Sequence, residues 1–175
     1  PKGVGMLFMR KGTRIHPLLN GGGHERNLRS GTVNVPGIAG FALAASIKTD
    51  RIKKDSEICR KVRDRILSEL NNSLGDSMRI NSPKDGVDNI LNISFKGVKS
   101  ENLLHFLEAR DIFVSSGSAC HSRRDTTSHV LKAVGIPSEW AEGAIRLSFC
   151  GDNTEDQARI FADAIVEILK IIQKK

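Results

Sequence analysis

A chain of 175 residues, 39% hydrophobic and 27% charged, can bury a sizeable core as one domain or as one domain with a piece of another. Its net charge of +7 calls for an anionic partner without choosing among nucleic acid, phosphate cofactor and acidic protein, and 5% aromatic content with no tyrosine supplies a base-stacking surface poorly. Three cysteines are too few and too odd for a disulfide framework, and no apolar run nears the ~18 residues of a membrane span. With no secretory leader at its start, the chain reads as cytoplasmic.

The chain opens on Pro1, where a start methionine is absent, and a missing beginning is the expectation. Residues 4–9 form a compact apolar run behind glycines and predict a buried strand, with residues 14–19 as its partner and Pro17 at an edge. Residues 20–32 read as a loop. Pro36 suits the first turn of a helix, in which Ile38, Ala42 and Ala45 recur at helical spacing. From about residue 50 to 74, Ile52, Cys59, Val62, Ile66 and Leu70, with Leu67 alongside, form the apolar stripe of an amphipathic helix. Its lysines and arginines are then a solvated face, and Cys59 is core.

Residues 82–86 are turn material. Residues 89–96 alternate, with Leu91, Ile93 and Phe95 on one face and Asn92 and Ser94 on the other, which predicts a half-buried strand. Ser100 is expected to cap a short helix bearing Leu103, Leu104 and Leu107. A helix over 128–134 should end at Gly135, and residues 144–149 alternate as another strand. Thr154 and Gln157 have capping-box spacing for a last helix buried through Phe161, Ala164, Ile165, Ile168 and Ile172. His16 and His105, among apolar neighbours, are expected to be structural, and Cys150 buried. Strands and helices thus interleave into α/β architecture, with the long helix joining two regions.

Three places carry chemistry. In residues 114–124, small residues precede Cys120 and leave its thiol uncrowded, while His121, Arg123 and Arg124 behind it favour thiolate. A reactive cysteine on a flexible loop and a buried structural cysteine both remain open. Residues 21–32 combine glycines, arginines and the hydroxyls of Ser30 and Thr32, which suits either an anion site or a plain surface loop. No Gly-Lys-Ser/Thr follows those glycines, so the loop is not a Walker sequence. Arg146 lies with Ala144 and Ser148 on one side of its strand, either solvated or serving as a carboxylate clamp. The spacing of Cys120, His121, His129 and Cys150 fits no zinc pattern, and no metal is expected.

Together these segments resemble the C-terminal part of a cysteine desulfurase of the NifS/IscS type, from the class-V aminotransferases. Residues 1–5 match the last five positions of Gly-Pro-Lys-Gly-x-Gly, and residues 21–32 match Gly-Gly-Gly-x-Glu-Arg-x-x-Arg-x-Gly-Thr. Residues 115–120 match Ser-Ser-Gly-Ser-Ala-Cys, 129–131 His/Tyr-Val-Leu and 145–148 Ile-Arg-x-Ser. The resemblance implies a pyridoxal-phosphate-dependent transferase of fold type I. Residues 1–52 would be the end of its large cofactor domain, and 53–175 the small α/β domain carrying the cysteine loop.

By the same resemblance Cys120 is the nucleophile that takes sulfur from L-cysteine, leaving alanine and a persulfide for an acceptor or iron–sulfur scaffold protein. Arg146 would hold the substrate carboxylate. Thr32 would donate to the cofactor phosphate across a homodimer interface. The ten residues from Cys120 to Val130 resemble the long-loop group. The family's Schiff-base lysine sits in a Ser-x-His-Lys word before the segment matched by residues 1–5. Lys2 is not that lysine, so the 175 residues alone are expected to be inactive. Selenocysteine lyase is a rival of the same fold, and a non-catalytic basic binding or dimerisation module a rival of another class.

Overall fold

The computed structural model describes residues 1–116 and 128–173. They divide into two compact units, Pro1–Ile52 and Lys53–Lys175. The first unit contains a single turn, α1 (His24–Asn27), and the opening part of the long helix α2 (Val35–Leu74). Asn34 starts α2 by accepting a hydrogen bond from the Gly37 amide at 3.1 Å, and Pro36 fits the first turn because its missing N–H has no partner to lose there.

The two strands expected over 4–9 and 14–19 do not form. Among the described residues no strand precedes Met78, and Met6, Leu7 and Phe8 are 80%, 73% and 80% exposed. The two stretches join through a turn in which Thr13 N–H donates to Arg10 O at 3.1 Å. Among the described residues these two short segments have no third strand and no covering helix, and so too little burial to hold a ladder.

The second unit is a four-stranded antiparallel sheet with helices. Its strands are β1 (Met78–Ile80), β2 (Ile90–Phe95), β3 (Ser115–Ser116) and β4 (Ala144–Ser148), in the order β1-β2-β4-β3. Leu91 pairs with Leu147 and Ile93 with Ile145, so alternation sends these four and Phe95 to one face. That face packs on Val62, Ile66 and Leu70 of α2, on Leu103 and Leu107 of α3 (Ser100–Glu108), and on Phe161, Ile165 and Ile168 of α6 (Glu155–Gln173). The stripe on α2 falls as its spacing requires, except that Ile52 is exposed and the buried side begins later, with Asp55 and Cys59.

Among the described residues the opposite face is covered at one end only. There α4 (His129–Ala133) and α5 (Ser138–Ala141) set Leu131 and Ala141 over Ala144, with Ile136 beside them. Gly143 leads into β4 against the carbonyls of Phe95 and Val98, closer than any Cβ could approach. The α6 capping box forms in full: Thr154 N–H donates to Gln157 Oε1 at 3.1 Å, and Gln157 N–H to Thr154 Oγ1 at 3.3 Å. Ser100 does not cap α3 with its side chain. Lys99 occupies the cap position and Ser100 N–H donates to Glu142 O at 2.8 Å, because the chain entering α3 lies against the end of α5.

Candidate functional site

Where no described residue covers it, the polar face holds one transverse row. Continuing the β1–β2 register beyond Ile80 brings Asn81 opposite Asn92, where its N–H donates to Asn92 O at 2.9 Å. Asn92 pairs with Arg146 across β2 and β4, and Arg146 pairs with Ser115 across β4 and β3. Directly opposed residues share a face, so Asn81, Asn92, Arg146 and Ser115 form a line across the sheet.

Side-chain bonds stiffen one end of that line. Asn81 Nδ2 donates to Asn92 Oδ1 and to Ser94 Oγ, each at 2.7 Å, and Ser82 Oγ accepts from Asn92 N–H at 2.8 Å. Arg146 is exposed, and its guanidinium makes no ion pair or hydrogen bond with any described residue. A planar fork of donors with no acceptor among the described residues is suited to a carboxylate from outside the protein. Ala144, expected on a polar face with Arg146, does share its side but is buried beneath α4 and α5.

Thr32 lies in the first unit, exposed, at the end of a loop shaped by backbone rather than by burial. Glu25, Arg26 and Asn27 take the left-handed region at φ 49°, 58° and 66°, a run that non-glycine residues seldom adopt. Ser30 Oγ donates to Gly22 O at 2.7 Å and Ser30 N–H to Leu19 O at 3.3 Å, closing the loop on itself. Thr32's hydroxyl makes no hydrogen bond with a described residue, so a donor is left over for an acceptor such as a phosphate oxygen.

Cys120, with His121, Arg123 and Arg124, lies outside the described residues. Ser115 and Ser116, which open the word that contains it, are described and pair with β4 at Arg146 and Ile145. Three residues expected to be structural or buried are placed differently. Cys150 is exposed, because β4 ends at Ser148 and the chain turns through 150–153 with Asn153 N–H donating to Cys150 O at 3.1 Å. His16 and His105 are exposed too, and His105 Nδ1 sits 3.7 Å from Glu108 on the outer side of α3. A cleft of about 340 Å³ between residues 110–114 and α6, lined by Phe113, Val114, Leu147, Phe149 and Ile160, belongs to the apolar side of the sheet, away from Arg146.

Sequence reasoning passed over Asn81 and Asn92. Alternation put Asn92 on the polar face, but the partner on that face is a matter of register, which one strand's pattern does not state. The signal that could have found it is an asparagine in the middle of a buried strand, where most outward positions take β-branched or aromatic residues.

The chain belongs to the aminotransferase class-V family, which it matches over residues 1–161. It is 39% identical to a cysteine desulfurase of Sinorhizobium fredii over all of its own length, and 39% identical to a cysteine desulfurase IscS of Methanosarcina thermophila over 99% of it. It spans 44% and 42% of those two proteins, less than half of each. A solved NifS-like protein superposes on 94% of the chain with a TM-score of 0.81 at 38% identity, and a NifS-like protein of Rickettsia africae on 90% with 0.77 at 31%. The fold is that of the corresponding part of these pyridoxal-phosphate-dependent transferases. No helix among the described residues is long and apolar enough to cross a membrane.

Proposed function

We propose that these residues serve, within a polypeptide of the relatives' length, as the sulfur-accepting part of a cysteine desulfurase. The observation that carries the reading is Arg146: a guanidinium that no described residue engages or covers, in register with the serine that opens the Cys120 word, in a class-V aminotransferase chain. Cys120 follows Ser116 by four residues of chain.

On this reading Arg146 binds the α-carboxylate of L-cysteine and orients the substrate. Cys120, as thiolate, forms a bond to the substrate's sulfur. The Cβ–S bond breaks with its electron pair going to carbon, which takes up a proton. Alanine leaves, and a persulfide remains on Cys120 for an acceptor or iron–sulfur scaffold protein. Pyridoxal phosphate, when bound, supplies the electron sink that makes this carbon a leaving group.

Thr32 fits the cofactor's phosphate by donor chemistry, as an exposed hydroxyl with no internal partner, and in the proposal it donates across a homodimer interface. No Ser-x-His-Lys word occurs in the 175 residues, so the Schiff-base lysine comes from elsewhere in the polypeptide, and these residues alone do not turn over. The reading places the enzyme in the cytoplasm.

The test is sulfur transfer by the full-length protein. Wild type should form one alanine per sulfur released from L-cysteine and carry reductant-releasable labelled sulfur on residue 120. Cys120→Ala should do neither. Labelled sulfur that never lodges at residue 120 would overturn the proposal.

A further inference from the structure

We infer that Asn92 is the second donor of the substrate-carboxylate subsite, with Asn81 as the residue that positions it; this rests on the carboxylate role proposed for Arg146. Asn92 and Arg146 are directly opposed in the β2–β4 ladder, on the same face, where facing Cβ atoms lie roughly 5 Å apart. The orientation of the Asn92 amide is set from the other side. Asn81 Nδ2 donates to Asn92 Oδ1 at 2.7 Å, which turns the oxygen towards β1 and leaves Nδ2 on the β4 side. Asn81 is itself held, because the same nitrogen donates to the fully buried Ser94 hydroxyl at 2.7 Å.

The consequence follows from donor and acceptor counting. A guanidinium has five N–H donors and no acceptor, and an amide nitrogen is likewise only a donor. Arg146 and Asn92 Nδ2 therefore cannot bond each other, and neither has an acceptor among the described residues. Two neighbouring donors on one open face are satisfied together by an acceptor that both can reach. A carboxylate, with two oxygens and about four lone-pair sites, meets that requirement, whereas a carboxamide offers a single oxygen and adds donors of its own. Asn92 thus makes the subsite selective for a free α-carboxylate over its amide, beyond the charge that Arg146 supplies. Ser115 closes the row on the far side of Arg146.

The experiment uses the full-length protein, with L-alanine and L-alaninamide as binding probes by calorimetry and L-cysteine as substrate. Asn92→Asp keeps the shape and the acceptor for Asn81 but replaces the donor with a carboxylate that occupies Arg146. It should raise KM for L-cysteine at least about tenfold, with kcat within about twofold of wild type. It should also reduce the preference for L-alanine over L-alaninamide by about the same factor, which a merely structural defect, weakening both probes alike, would not do. Asn92→Thr, which suits a strand and removes the amide donor without adding charge, carries the test if the aspartate variant does not fold, and Asn81→Ala should shift the preference the same way. A wild-type preference in both Asn92 variants, with Arg146→Ala abolishing it, overturns this inference and leaves the proposed clamp standing. A wild-type preference in Arg146→Ala overturns the clamp and this inference with it.

Discussion

Asp88 and Arg60, 28 residues apart in the chain, are joined by two hydrogen bonds: Arg60 Nε to Asp88 Oδ1 at 3.2 Å and Nη2 to Oδ2 at 3.0 Å. Ser56 Oγ adds a donor to Oδ2 at 2.6 Å, and Arg63 Nη1 lies 3.3 Å from Oδ1. One carboxylate therefore ties the connection before β2 to three side chains along α2. The hydrogen bond from Arg60 above all, then that from Ser56, lowers the Asp88 carboxyl from its ordinary range to about 2.

The pH dependence follows in sign. A carboxyl with a lowered folded pKa stabilises the fold at every pH above its unfolded value near 4. That stability fades as pH falls from about 4 towards 2. Asp88→Asn should lose about 1–3 kcal/mol at pH 7, and the gap to wild type should narrow at pH 3, read from urea unfolding midpoints at both values.

Gly143→Ala should destabilise the second unit by about 1–3 kcal/mol. A methyl at that position meets the backbone carbonyls of Phe95 and Val98, which no rotamer change can move aside, and Phe95 N–H already bonds Gly143 O at 3.2 Å. The unfolding midpoint should fall for alanine there, while Gly97→Asn, in open space at φ 75°, should change it little.

Thr154→Ala removes one half of the reciprocal cap on α6 and should cost about 1 kcal/mol, with most of it restored by Thr154→Ser. Amide exchange should quicken in the first turn of α6 and not at its buried centre near Ile165.

In a Cys120→Ala background, a thiol reagent should label Cys150 within its ordinary mixing time and Cys59 only as the fold opens. Cys150 is exposed after β4, whereas Cys59 is 2% exposed inside the α2 stripe. Fast labelling of both residues would contradict the packing of α2 on the sheet.

What the sequence made legible is what depends on neighbours along the chain. The α2 stripe from Cys59 to Leu70, the alternation of Leu91, Ile93 and Phe95, the strand at Arg146 and the Thr154–Gln157 box each need only local spacing, and each forms. Residues 4–9 read as a strand because apolar runs do, yet a strand exists only where a partner accepts its hydrogen bonds. Strand β1 escaped notice for the opposite reason: Met78–Ile80 is three residues long, with no alternation to detect, and exists because β2 pairs with it. The Asn81–Asn92–Arg146–Ser115 row was hidden for the same cause, since it runs from the residue after β1 across three further strands and is set by register alone. Cys150 and His105 were misjudged because apolar neighbours in sequence are not neighbours in space once a strand ends or a helix turns its outer side to water.

None of the first 52 residues is buried, and every fully buried apolar side chain comes from Cys59 onward. Tolerance to substitution should therefore differ sharply along the chain. Changes before residue 53 should leave the melting of the sheet where it was, because the sheet's interior takes no side chain from them.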